Sequence, residues 1–167
     1  MSSLENCTKN YSFESIWDIE DNVEDDNNEF IINKIKQFIK DNYDLVDINR
    51  CEFVFDEKKN KYIISCNHQA ILKHNSKQLT NDLFEWGTVK GYFDCSGCSI
   101  TTLKGAPKEV GGNFYCSNCP KLTTLKGAPK EVGGDFYCTN CPTLKSLEGV
   151  PTHMKGKIFS DEDENTV

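Results

Sequence analysis

The chain has 167 residues, 37% of them hydrophobic, and a net charge of −7, which fits one compact domain with a small appendage. No stretch approaches the roughly 18 apolar residues of a membrane-spanning helix, and the start MSSLENCTKN lacks the apolar core of a secretory signal. We therefore exclude a membrane protein, a secreted disulfide mini-protein and a large multidomain enzyme. We expect a cytoplasmic protein that does not contact a membrane.

Negative charge is concentrated at the two ends of the chain. Residues 1–29 carry nine acids against Lys9, residues 161–164 add four acids, and residues 30–160 have a net charge of +5. One interpretation is solvated, partly disordered termini. The alternative is an acidic lure that folds on a basic, nucleic-acid-binding protein such as a nuclease. The residues predicted to make that contact are Trp17, Asp18, Glu20, Asp21, Glu24, Asp25 and Asp26.

A helix and a β-hairpin are predicted next. Apolar residues recur at helical spacing within Glu29–Asn42, at Ile31, Ile35, Phe38 and Ile39. Two apolar runs, 51–55 and 61–66, flank a polar turn and predict the hairpin. A turn centred on residues 58–59 pairs Phe55 with Tyr62, Phe53 with Ile64 and Cys51 with Cys66.

The C-terminal half contains an internal repeat of 22 residues. Residues 101–112 read TTLKGAPKEVGG, and residues 123–134 read the same twelve letters. A degenerate copy precedes this pair and a partial copy follows it, as far as Phe159. Such a unit is shorter than the more than about 30 residues of a helical hairpin and lies within the roughly 20–29 residues of a leucine-rich repeat. Each unit predicts one coil with two short strands and glycine- or proline-containing corners, stacked in parallel on the next coil.

The predicted fold class is α+β, with a short leucine-rich-repeat-like β-solenoid over residues 67–159. We expect the helix and hairpin, residues 29–66, to cap its N-terminal end, because an open solenoid end is an adhesive sheet edge. An acidic segment, residues 1–28, precedes the cap, and an acidic tail, residues 160–167, follows the solenoid.

The units ITTLKGAPKEVGGNFYCSNCPK and LTTLKGAPKEVGGDFYCTNCPT resemble the leucine-rich-repeat-like arrays of bacteriophage and mobile-element proteins. They are also similar to the BspA-like class of leucine-rich repeats. The resemblance covers residues 29–159 and implies the solenoid fold and a phage or prophage origin. It further implies that a small acidic protein of this kind inhibits a host protein, for instance a defence nuclease, in the manner of an anti-CRISPR. Cys98, Cys119 and Cys141 depart from the family, which has an Asn-like residue there.

Three Cys-x-x-Cys turns, with first cysteines Cys95, Cys116 and Cys138, allow three interpretations. Two adjacent turns have the spacing of a four-cysteine zinc site, and a low-pKa thiol would suit redox chemistry. The coil period itself imposes this spacing, so we favour a structural ladder of cysteines and no cofactor. We expect all nine cysteines to be reduced thiols. The zinc candidates that remain open are Cys95, Cys98, Cys116, Cys119, Cys138 and Cys141.

The outward strand positions are the predicted partner-binding face. Stacked tyrosines are typical of protein interfaces, although they could also only shield the sheet. No nucleophile, zincin or phosphate-loop motif occurs, so we predict a non-catalytic protein-binding module rather than an enzyme. The alternatives are a zinc-supported nucleic-acid-binding module and a self-associating virion or scaffold protein. The predicted contact residues of this face are Tyr92, Asp94, Asn113, Tyr115, Asp135, Tyr137 and Phe159.

Overall fold

A computed structural model describes the backbone of residues 13–44 and 48–161 and the side chains of residues 27–44 and 48–161. The chain divides into two compact units, Met1–Lys34 and Ile35–Val167. Helix α1, Phe13–Asn42, includes the predicted stretch Glu29–Asn42 and begins further toward the N-terminus. No glycine or proline occurs within α1, so no residue of this stretch breaks the helix. Within the described residues, no helix has the length and apolar character needed to cross a bilayer.

The second unit is a β-solenoid of about four coils. A six-stranded sheet has the order β1-β2-β4-β6-β8-β10, and a five-stranded sheet has the order β11-β9-β7-β5-β3. Among the strands of the described residues, β1 and β2 form the one antiparallel pair. A short 3₁₀ helix, Ile48–Arg50, precedes the strands, which are β1 (Cys51–Asp56), β2 (Lys61–Cys66), β3 (Ala70–Ile71), β4 (Phe84–Val89), β5 (Phe93–Asp94), β6 (Glu109–Val110), β7 (Phe114–Tyr115), β8 (Glu131–Val132), β9 (Phe136–Cys138), β10 (His153–Met154) and β11 (Ile158–Ser160).

The strand register confirms the coil period predicted from the repeat. Val132 pairs with Val110 on one side and with Met154 on the other. Phe136 pairs in the same way with Phe114 and with Ile158. Each coil therefore contributes one strand to each sheet, and the partial copy at the end of the repeat forms a coil like the others.

The hairpin register is also confirmed, since Cys51 faces Cys66 and Phe55 faces Tyr62. Strand β2 has a second role that the sequence did not indicate. It pairs in parallel with β4, and β3 pairs in parallel with β5. Strand β2 therefore belongs both to the hairpin and to the first coil of the solenoid.

The core of the solenoid is a column of equivalent apolar side chains. The rings of Phe93, Phe114 and Phe136 are fully buried and stack with centroid distances of 5.5 and 5.1 Å. Leu103 and Leu125 are buried at the opposite corner of their coils. Each such side chain contributes about 1.5–3 kcal/mol when it leaves water, so a single coil would lose most of this stabilisation without its neighbours.

The second unit also buries a polar network next to the C-terminal end of α1. The hydroxyl of Tyr43 donates to the carbonyl of Leu79 and accepts a 3.0 Å hydrogen bond from Nε1 of Trp86. Burial raises the pKa of Tyr43 well above its ordinary value, which keeps the hydroxyl neutral. The network satisfies the polar atoms of both buried rings and fixes residue 43 against the first coils.

Two glycines set how closely the coils approach. A Cβ on Gly111 would lie 2.3 Å from the carbonyl oxygen of Lys90, and one on Gly133 would lie 2.0 Å from that of Gly111. These are contacts with backbone atoms, which a side-chain rotation cannot relieve. The backbone of the preceding coil therefore leaves no room for a side chain at Gly111 or Gly133.

We predict that Gly133→Ala lowers the free energy of unfolding by about 1–3 kcal/mol, the usual cost of overpacking. The physical reason is that the new methyl group forces two coils apart. Chemical denaturation of the full chain measures the change in the free energy of unfolding. Lys155→Ala is the matched control, because Lys155 occupies the equivalent, exposed position of the last coil, and it should change stability by less than about 0.5 kcal/mol. Equal stability of both variants would contradict the prediction.

Candidate functional site

The outer face of the five-stranded sheet carries an aromatic row, which we define as Tyr92, Tyr115, Tyr137 and Phe159. Tyr115, Tyr137 and Phe159 are register equivalents in successive coils. Their rings stack with centroid distances of 4.8 Å and 4.7 Å. The ring of Tyr92 meets Tyr115 edge-on at 5.9 Å. The structure therefore brings together the four aromatic residues that the sequence assigned to the binding face.

The ends of the aromatic row are more exposed than its middle. Tyr92 is 37% exposed and Phe159 is 39% exposed, whereas Tyr115 and Tyr137 are half-buried between their neighbours. The middle rings cover each other's faces and leave mainly their edges to solvent. The row therefore presents a continuous apolar strip that crosses several coils.

Polar side chains beside the aromatic row hold it in place. Asn113 Oδ1 accepts a 2.9 Å hydrogen bond from the backbone N–H of Asp135, and Asp135 Oδ1 accepts one of the same length from the N–H of Lys157. Asn113 Nδ2 also donates to the hydroxyl of Tyr115 at 2.7 Å, and the hydroxyl of Tyr137 donates to Asp135 Oδ2 at 3.2 Å. Desolvation, assisted by this bond to Asp135, raises the pKa of Tyr137. These two polar residues of the predicted face thus join the coils and orient the rings.

Asp94 occupies the register position equivalent to Tyr115. Its side chain is half-buried, and Oδ1 accepts a 2.8 Å hydrogen bond from the backbone N–H of Ser96. The carboxylate thus shapes the first Cys-x-x-Cys turn and places a negative charge at the end of the ring stack.

The predicted contact residues of the acidic segment lie on α1, but their side chains are outside the described residues. They are Trp17, Asp18, Glu20, Asp21, Glu24, Asp25 and Asp26. Their part in binding stays a prediction.

The cysteines of the three turns form a ladder of buried thiols that donate to backbone carbonyls of neighbouring coils. Cys95 Sγ donates to the carbonyl of Tyr115 at 3.3 Å, and Cys116 Sγ donates to that of Tyr137 at 3.2 Å. The second cysteines point the other way, because Cys119 Sγ donates to the carbonyl of Cys95 at 3.3 Å. Five of these thiols thus donate to a carbonyl of a neighbouring coil, namely Cys95, Cys98, Cys116, Cys119 and Cys141.

Burial controls the chemistry of these thiols. Desolvation raises the pKa of Cys95 and Cys116 well above the ordinary value and raises that of Cys98 to about 11. The neutral form is the one that can donate to a carbonyl, so burial and hydrogen bonding favour the same protonation state. Ligation of zinc would require these thiols to become thiolates, and burial disfavours that charged form.

The structure does not assemble the predicted zinc candidates into a ligand group. Among the described residues, one group of three or more potential ligands has its donor atoms within 4.8 Å of one another, and it consists of Cys51, Cys66 and His68. Sequence reasoning missed this group. The signal was present in the predicted Cys51–Cys66 pairing and in the sequence Cys-Asn-His that ends at residue 68.

The expectation that all nine cysteines are reduced is wrong for Cys51 and Cys66, which form a disulfide. The hairpin register explains the bond. The two residues face each other with a Cα–Cα distance of 4.5 Å, within the roughly 4.4–6.8 Å that disulfides require.

A groove of about 680 Å³ crosses the outer face of the six-stranded sheet. Three register equivalents, Glu109, Glu131 and His153, line it, and Lys90 and Lys155 lie at its rim. The two carboxylates are one coil apart on the groove floor. Because Lys90 and Lys155 balance these two acids, the charge of the groove does not select a phosphate backbone.

Comparison of the chain with protein-family models, with curated proteins and with solved structures finds no match. The function is therefore inferred from the residues and their geometry.

We predict that the free energy of unfolding of the reduced protein falls as the pH rises above 9.0, the ordinary pKa of a cysteine thiol. The unfolded chain then releases thiol protons that the folded chain retains, so the unfolded state gains stability by about 1.4 kcal/mol per pH unit for each such thiol. Denaturation between pH 8 and pH 11 in a phosphine reductant measures the slope. Because tyrosines and lysines also titrate there, the control is Cys116→Ala, which should reduce the slope by the share of one thiol. An unchanged slope in that variant would refute the attribution of the pH dependence to the buried thiols.

Proposed function

We propose that the protein is a non-catalytic binding module that contacts another protein through the aromatic row. The observation that supports this most directly is a strip of four aromatic residues with exposed ends, in which three rings are stacked and Tyr92 contacts the stack edge-on. Tyrosine and phenylalanine are enriched at protein interfaces, where they bury a large area for few rotatable bonds. Single exposed aromatic residues are common on surfaces, but a contiguous strip is typical of an interaction site.

The hydrogen bonds beside the aromatic row support this proposal because they reduce the entropy lost on binding. Tyr115 and Tyr137 are each bonded through their hydroxyl groups to a side chain that is itself bonded to the next coil. Immobilising a side chain at an interface otherwise costs about 0.5–1.5 kcal/mol. The row is thus ordered before a partner arrives.

The geometry favours a protein over single-stranded nucleic acid as the partner of this face. Base stacking needs open ring faces, but the middle rings are already stacked on each other at 4.7–4.8 Å. Two carboxylates also lie on this face. Asp94 occupies the register position of Tyr115, and Asp135 accepts the hydrogen bond of the Tyr137 hydroxyl. A protein surface can pack against ring edges, whereas a phosphate backbone would be repelled by these acids.

We further propose that the coils are of the leucine-rich-repeat type, that residues 29–66 cap them, and that the protein acts in a bacterial cytoplasm. Residues 1–29, with a net charge of −8, would attract a basic partner from a distance. Together with the resemblance to phage proteins, this suggests an inhibitor of a host protein such as a defence nuclease.

We predict that Tyr137→Ala combined with Phe159→Ala abolishes capture of the partner while the protein remains folded. Loss of central aromatic contacts costs at least about 2 kcal/mol in typical interfaces, which is about 30-fold in affinity. The measurement is a pull-down from nuclease-treated bacterial lysate with the tagged full chain, followed by binding assays with the purified partner. The matched control is Val54→Ala with Phe55→Ala, which removes two hydrophobic residues that are 52% and 44% exposed but lie outside the row. Equal capture by both double variants would contradict the proposal.

A second variant tests the acidic segment separately. Asp18→Asn, Asp21→Asn and Asp25→Asn together remove three charges from α1. We expect slower association with the same partner and a weaker dependence on salt, because long-range attraction acts mainly on the association rate. An unchanged association rate at low salt would exclude the segment from partner attraction.

A further inference from the structure

We propose that Cys51, Cys66 and His68, once the disulfide is reduced, form a binding site for a single zinc-type divalent ion. The three side chains place their donor atoms within 4.8 Å of one another. The site lies at the end of the hairpin and includes no residue of the aromatic row and no cysteine of the Cys-x-x-Cys turns.

The backbone holds the three residues in a fixed arrangement. Cys51 begins β1 and Cys66 ends β2, with a Cα–Cα distance of 4.5 Å. The backbone carbonyl of His68 accepts a hydrogen bond from the N–H of Gly91. A Cβ at Gly91 would lie only 2.6 Å from the nitrogen of Gln69 and 2.8 Å from the carbonyl carbon of His68. The segment that carries His68 is therefore packed directly on the next coil.

His68 supplies an independent observation that points to a ligand. Both of its ring nitrogens are buried, and neither has a hydrogen-bond partner. A buried polar atom that is left without a hydrogen-bond partner destabilises the folded state. Ligation through one ring nitrogen would satisfy that atom and place a donor next to the two sulfur atoms.

The donor set selects the ion. Two thiolates and one imidazole suit zinc, which binds sulfur at about 2.3 Å and histidine nitrogen at about 2.0–2.1 Å, and they do not suit magnesium or calcium. Three protein ligands leave a fourth tetrahedral position for water or for a group from another molecule.

Oxidation state decides whether the site exists. In the disulfide the two sulfurs are bonded to each other and cannot act as thiolates. A phosphine breaks the S–S bond by supplying two electrons, while one water molecule supplies the two thiol protons and the oxygen of the phosphine oxide that leaves. A dithiol supplies both the two electrons and the two protons and leaves as its own disulfide. Binding of the ion then releases both thiol protons as two metal–sulfur bonds form. Metal binding and disulfide formation are thus mutually exclusive states of one pair.

Cobalt(II) is the probe, because tetrahedral sulfur and nitrogen ligation gives it intense absorption bands. The full chain is reduced with a phosphine, freed of reductant under anaerobic conditions and titrated with Co²⁺ and then with competing Zn²⁺. We expect a 1:1 complex with tetrahedral bands that Zn²⁺ abolishes, and no such bands in the oxidised chain. The same polypeptide in two oxidation states is the first matched control.

Variants assign the ligands. Cys51→Ser, Cys66→Ser and His68→Asn should each weaken binding by more than the roughly 10- to 100-fold that loss of an outer-shell partner costs. His153→Ala, which alters an exposed histidine, and Cys116→Ala, which alters a turn cysteine, should bind as the unaltered chain does. Absence of tetrahedral bands in the reduced chain, unchanged binding by His68→Asn, or loss of binding in Cys116→Ala alone would overturn the proposal. If circular dichroism shows that a ligand variant does not fold, a second assay uses the unaltered reduced chain. Bound Zn²⁺ should protect Cys51 and Cys66 from an alkylating reagent, and alkylation of both thiols in the presence of Zn²⁺ would refute the site.

Discussion

Parallel pairing between successive coils places each residue about 4.8 Å from its equivalent in the next coil. The other features of the second unit depend on this spacing. It is close to the distance at which aromatic rings stack, as seen for Tyr137 and Phe159 at 4.7 Å. It also brings a cysteine thiol within reach of a carbonyl one coil away. A repeated side chain therefore interacts mainly with copies of itself, which turns a short sequence motif into continuous rows.

The same spacing gives the inside and the outside of the solenoid different properties. Inside, burial raises the pKa of Cys95 and Cys116 and keeps both thiols neutral, and each donates a hydrogen bond to a carbonyl of the next coil, so their role is structural. Outside, equivalent rings cover each other's faces and are held by Asn113 and Asp135, which leaves an ordered apolar strip. The hairpin pair Cys51 and Cys66 belongs to neither row, and it alone among the described cysteines combines a cross-strand partner with a neighbouring histidine.

Much of this arrangement could be predicted from the sequence, because it follows from periodicity. The interval of 22 residues predicted that Tyr115 and Tyr137 would be neighbours, and the position of the turn predicted that Cys51 would face Cys66. Properties that depend on side-chain environment could not be predicted in this way. The use of Asn113 as a bridge between coils depends on a rotamer, and the burial of the His68 ring nitrogens depends on tertiary packing that the neighbouring letters do not show. The start of α1 was missed because helical propensity without an apolar stripe gives a weak signal.

The near-identity of adjacent units has a consequence for how such a protein can change. Residues 101–112 and 123–134 are the same twelve letters, and their coils meet neighbouring coils through equivalent contacts. Recombination between the two copies in the gene would insert or delete one whole unit and leave the remaining interfaces intact. Each event would lengthen or shorten the outer strip of rings by one ring, without a change in the chemistry of the surface. The length of the surface that can contact a partner can therefore change in steps of one coil while the fold stays the same.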